Sequence, residues 1–138
     1  MAYELVWEPD GVVRKFSGAV SAREFINSVE RVQSDARFDD ARYVINDFSA
    51  ISGHGLSEEA LTEAAILQYG AYASNPNCRV VFVTADAALA RLVSDSQATS
   101  QLQSYQTEVL PTLTEARDWL DSQPQLQLMS NVMGFRVE

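Results

Sequence analysis

A chain of 138 residues, 46% hydrophobic and 21% charged, has the size and apolar content of one domain that buries a single core without metals or cross-links. Nineteen acidic against ten basic residues leave a formal charge of -9, which repels phosphate backbones and anionic membrane surfaces and argues against a nucleic-acid partner. The lone Cys78 excludes an internal disulfide, the opening MAYELVWEPDG lacks a secretory pattern, and no apolar run nears the roughly 20 residues of a spanning helix, so a cytoplasmic protein is expected.

In chain order, Tyr3, Leu5 and Trp7 alternate with Glu4 and Glu8, the period of a strand. PDG turns the chain and VVRKFSG returns it, predicting an antiparallel hairpin. SAREFINSVERVQ opens with Ser21 and Glu24 in capping-box spacing and carries Ala22, Phe25, Ile26, Val29 and Val32 as one apolar stripe, the first helix. Asp39 and Asp40 read as solvated turn residues. RYVINDF (42–48) is the third strand, and DFSAISGHGLSEE then reads as a loop into a second helix from about Ser57 to Ala73. CRVVFVT (78–84), apolar on both faces and β-branched, is a central parallel strand. Asp86 caps a third helix through about Gln97, with Leu89, Leu92 and Val93 inward. SYQTEVL (104–110) is an edge strand stopped by Pro111. Thr112 and Glu115, again in capping-box spacing, start a fourth helix burying Leu113, Ala116, Trp119 and Leu120. The order ββαβαβαβα predicts an α/β layered domain over 1–122: a five-stranded, mostly parallel mixed sheet with its first strand antiparallel, four helices, right-handed crossovers, and a tail at 123–138.

Four segments, GVVRKFSGAVSAREF, RYVINDFSAI, RVVFVTADAALARL and VLPTLTEARDWL, resemble the STAS superfamily, and within it the SpoIIAA-like branch of small bacterial domains that are also described as similar to lipid-binding CRAL-TRIO domains. The resemblance spans residues 3 to 120 and implies a layered fold with a regulatory, protein-binding role. In STAS anti-sigma-factor antagonists, the loop after the third strand bears an Asp-Ser-Ser-Gly-like motif whose serine is phosphorylated at a helix N-terminus. Here only Ser52 and Gly53 fall on that pattern, after Ala50 and Ile51. The resemblance therefore carries neither an intact phospho-switch nor catalytic residues across.

Ser52, His54 and Asp47 hold the residue types of a hydrolytic triad, but such catalysis needs the imidazole within reach of both hydroxyl and carboxylate, and there is no G-x-S-x-G elbow. An exposed loop histidine is expected instead. GHG could cradle a phosphate, yet Glu58 and Glu59 fill the first helical turn and repel one. With one His and one Cys, only carboxylates remain as metal ligands, and Asp39 and Asp40 lack calcium-loop spacing, so neither metal nor cofactor is expected.

Asn46 and Asp47 are expected at the carboxyl end of a buried strand, beside Thr84 and Asp86. With Ser49, Ser52 and His54 they would rim a crevice for a small ligand or peptide; alternatively, Asp47 and Asp86 only cap loops and helices. The second helix carries Leu61, Ala65, Ile66, Leu67, Tyr69 and Tyr72, more apolar surface than one face buries, which suggests a dimer interface or an apolar ligand pocket. The tail QPQLQLMSNVMGFRVE, with Met129, Met133 and Phe135, is expected to dock on its own domain or on a second subunit. Together these features predict a non-enzymatic regulatory or interaction module working through residues 49 to 72, with a protein partner or a second copy. The alternative is a carrier of a small apolar or lipid-like ligand between the second and third helices and the sheet.

Overall fold

The computed structural model describes residues 2–99 and 106–123. Strands β1 (Tyr3–Glu8) and β2 (Gly11–Val20) form the antiparallel hairpin, followed by helix α1 (Ala22–Gln33), a short 3-10 turn (Ala36–Asp40), β3 (Tyr43–His54), α2 (Glu58–Tyr72), β4 (Arg79–Val83), α3 (Ala87–Thr99), β5 (Gln106–Leu110) and α4 (Leu113–Ser122). The sheet runs β1-β2-β3-β4-β5, parallel except for β1, with β5 at the edge as expected.

Three successive crossovers step across the sheet in one direction, so crossovers of one hand place α1, α2 and α3 on the same face. Alternation within the strands then sorts the core. Val12, Phe16, Val44, Phe48, Val80 and Phe82 meet Phe25, Val29 and Val32 of α1, Leu61 and Ala64 of α2, and Leu89 and Val93 of α3. Val13, Ile45, Val81 and Val83 point the other way, toward Ala116, Leu113, Trp119 and Leu120 of α4. Phe48 stacks on Phe16 at 4.6 Å and on Phe82 at 6.1 Å, making the centre of the three-helix face aromatic.

Local chemistry fixes the ends. Ser21 Oγ accepts from the Glu24 amide and the Glu24 carboxylate accepts from the Ser21 amide, the reciprocal box that the sequence predicts. Thr112 Oγ1 caps α4 by accepting from the Glu115 amide. Asn75, buried after α2, donates from Nδ2 to the carbonyls of Phe38 and Ala41 and so ties the 3-10 turn to the end of α2. Glycine is required at position 11, where a Cβ would lie 2.6 Å from the Tyr43 carbonyl oxygen across the β2–β3 ladder. Helix α4 is held to β1 by Arg117, whose Nη1 and Nη2 donate to Glu8 at 3.0 and 2.7 Å, while Tyr43 Oη also donates to that carboxylate.

The main departure from expectation is β3. It runs to His54, not to Phe48, because the stretch read as a loop pairs with the second half of β2. Two one-residue slips, between Lys15 and Ser17 and between Gly18 and Ala19, put extra residues on β3 as bulges. Beyond Asp47, which pairs with the last residue of β4, this half of β3 has only β2 beside it, and the two strands form an overhanging ribbon. Among the described residues, no helix is long and apolar enough to cross a membrane. The tail residues Met129, Met133 and Phe135 and the first two residues of the SYQTEVL stretch lie outside the described residues.

Candidate functional site

Because β3 is longer than expected, Asn46 and Asp47 sit in mid-strand, with Asp47 level with Val83 at the end of β4. Asn46 pairs in register with Arg14 on one side and Phe82 on the other, is fully buried, and donates from Nδ2 to the Val81 carbonyl at 3.3 Å. Its Oδ1 has no hydrogen-bond partner among the described residues. Asp47, 6% exposed and of opposite parity, accepts at Oδ1 from the Ser49 amide (3.0 Å) and hydroxyl (2.6 Å). Thr84 Oγ1 accepts from the Asp86 amide, and Asp86 Oδ1 accepts from the amides of Ala88 and Leu89, so these two residues build the entry to α3. Asp47 and Asp86 thus make bonds of the loop-turning and helix-capping kind.

Nor does the triad chemistry. His54 ends β3, and its Nδ1 accepts from the Leu56 amide at 3.1 Å, which commits one ring nitrogen to the turn into α2. The Asp47 carboxylate is engaged by Ser49, and Ser52 is exposed on the ribbon two residues from His54. No base-to-nucleophile or base-to-orienter bond links the three. Ser52 lies in the strand; the hydroxyl at the helix N-terminus belongs to Ser57, whose Oγ accepts from the Ala60 amide. Glu58 and Glu59 follow it in the first turn, satisfying the helix dipole themselves. Among the described residues there is no cluster of three or more potential metal ligands.

What the fold does assemble is a surface. Helix α2 buries Ala60, Leu61, Ala64 and Gln68 against the core, while Leu67 and Tyr72 pack on the core from partly exposed positions. Leu61 is thus a core residue, not an interface residue as the helix composition suggests. Ile66 and Tyr69, one turn apart, are 56% and 54% exposed and are the large apolar side chains left in water among the described residues. Beside them, a groove of about 580 Å³ runs between α1 and α2, with Ile26, Ala60 and Leu67 among its apolar walls and Glu30, Glu59 and Glu63 opposed by Arg23 along its rim. Three carboxylates against one guanidinium give that rim a negative balance. The ribbon residues Ser49, Ala50 and Ser52 are exposed just before the helix begins.

No family model matches the chain, and no curated protein does. Among solved structures, the chain is similar to the anti-sigma factor antagonist SpoIIAA in its unphosphorylated form, with a TM-score of 0.56 and 11% identity, over 88% of this chain and 100% of that one. At that identity the likeness is one of fold, and the chain accordingly has the STAS/SpoIIAA-like α/β fold that its order of elements predicts.

Proposed function

We propose that this protein is a non-catalytic regulatory module of the cytoplasm that works by binding another protein, or a second copy of itself, through the outer face of α2 and the adjoining α1–α2 groove. The observation that carries this reading is the pair Ile66 and Tyr69, held more than half exposed on a helix whose opposite face is committed to the core. The groove, with Ile26, Ala60 and Leu67 on its walls and Glu30, Glu59 and Glu63 on its rim, fits a partner segment with apolar side chains and basic flanks. The fold shared with an anti-sigma factor antagonist supports the regulatory part of the reading. His54, whose Nδ1 serves the turn, and the dispersed polar residues support the non-catalytic part.

Photo-crosslinking tests it. A photoreactive phenylalanine analogue placed at 66 or 69 in the producing cell should trap one discrete adduct, whereas the same analogue at Asp118, exposed on α4 of the opposite face, should trap none. Adducts only from position 118, or none from 66 and 69, would remove the proposal.

A further inference from the structure

Helices α1 and α2 each carry the chain back between parallel neighbours of the sheet, so they run in the same direction, side by side. Ala22, Ile26 and Glu30 line one side of the groove between them, and Glu59, Glu63 and Leu67 the other. Within each set the residues recur every fourth position, so each side is a single side-chain ridge of an α-helix, a little over two turns and about 12 Å long. Two such ridges, with a trough of about 580 Å³ between them, receive the ridge of a third helix. An extended segment is the poorer fit. The backbone groups of both walls are spent within their own helices, so a strand laid there would meet side chains alone and leave its amides and carbonyls unpaired, whereas a helix brings its own bonds.

Charge fixes a second property of the occupant. Glu59 and Glu63 stand one turn apart on the α2 side and Glu30 on the α1 side, all exposed, against the guanidinium of Arg23. A helix seated on Ile26 and Leu67 by apolar side chains therefore meets carboxylates on both flanks, and basic residues one turn apart on it pair with Glu59 and Glu63. Exposed pairs add little affinity singly; they decide which partner is accepted and how fast it arrives. A second copy does not supply such a helix. Among the described helices, α1 and α3 carry acidic and basic side chains in equal number and α2 and α4 are net acidic, while the sequence at 124–138 has only Arg136 and Glu138 as charged residues. Two copies, each with a formal charge of -9, also repel one another. Resting on the reading of the α2 face as a protein-binding surface, we propose that the α1–α2 groove takes an amphipathic helix of a different protein, with apolar residues toward Ile26 and Leu67 and Lys or Arg toward Glu59 and Glu63.

The probe is a fluorescently labelled peptide of about 16 residues with leucines along one helical face and lysines flanking them, its binding to the full chain read by anisotropy. It should bind the wild type, lose affinity about tenfold or more on the double variant Glu59→Lys, Glu63→Lys, and regain it there when its own lysines are exchanged for glutamates. The double variant Asp118→Lys, Asp121→Lys makes the same change in net charge at exposed positions of α4 and should hold the affinity of the lysine peptide within about twofold. No binding to the wild type, equal losses in the two charge-reversed variants, or undiminished binding of a peptide broken by a central proline would overturn the helical occupant. An adduct from position 66 or 69 with the mass of two copies of this chain would overturn the assignment to a different protein. Adducts to another protein without peptide binding would remove the helix and leave the α2 face as a binding surface, whereas no adduct at all would remove both.

Discussion

Replacing Arg117 by methionine removes the clamp between α4 and β1 while keeping an unbranched side chain at the site. The two bonds to Glu8, at 2.7 and 3.0 Å, are charge-assisted and bidentate, a geometry worth about 1.5–3 kcal/mol when dry. The Arg117 side chain is 42% exposed and Glu8 is 22% exposed, so solvent screening brings the expected loss to about 1 kcal/mol, or roughly 4 °C in melting temperature for a domain of this size. The pH dependence carries the sign. Hydrogen bonding from Arg117, and secondarily from Tyr43, holds the Glu8 carboxyl below its ordinary 4.5 against the opposing effect of burial. A depressed carboxyl contributes stability that is present in full above its unfolded value and disappears as pH falls through its folded value. Urea unfolding of wild type and Arg117→Met should therefore differ by about 1 kcal/mol at neutral pH, and the difference should shrink steadily as the pH drops below 4.5. A gap that is constant with pH, or that widens on acidification, would refute the ion-pair account of how α4 is held.

Phe48→Ala should cost about 3–5 kcal/mol in urea unfolding, because the ring is 2% exposed and stacked between Phe16 and Phe82; a loss below 1 kcal/mol would mean that the aromatic centre is not packed as described. Ser57→Ala should lower stability by about 1 kcal/mol through loss of the α2 cap, whereas Ser57→Asp, a comparable cap, should retain it; equal losses in both would argue against capping. Gly11→Ala should destabilise by about 1–3 kcal/mol, since the new methyl meets the Tyr43 backbone, and a neutral outcome in thermal melts would contradict that close approach.

Much of the fold is legible in the sequence because periodicity and caps agree over long stretches. The Ser21 and Glu24 box, the α1 stripe and the doubly apolar CRVVFVT specify their elements without tertiary information. The end of β3 does not, and the reason is physical. Residues 49 to 54 pair with β2 alone, lie where two bulges interrupt alternation, and stay largely in water, so they have the composition of a loop while making strand hydrogen bonds. That extension places Asn46 and Asp47 in mid-strand, with Asp47 level with the end of β4. On α2, composition announces surplus apolar surface but not its direction. Leu61 turned inward and Ile66 and Tyr69 outward, a division set by which neighbours each residue meets on the sheet. Arg14 carries a readable signal of another kind, a charged residue at the inward parity between Val12 and Phe16.

The central claim, that the α2 face is covered by a protein partner, is tested most directly by the reactivity of a thiol placed on it. The native Cys78 is buried, and its thiol is pushed to about 12, so Ile66→Cys offers maleimide a single reactive site, and Asp118→Cys supplies a reference on the opposite face. Purified at low concentration, both variants should label at similar rates. In a freshly prepared extract of the producing cell, the account predicts that position 66 becomes markedly slower than position 118. Equal labelling of the two positions in that extract would contradict it.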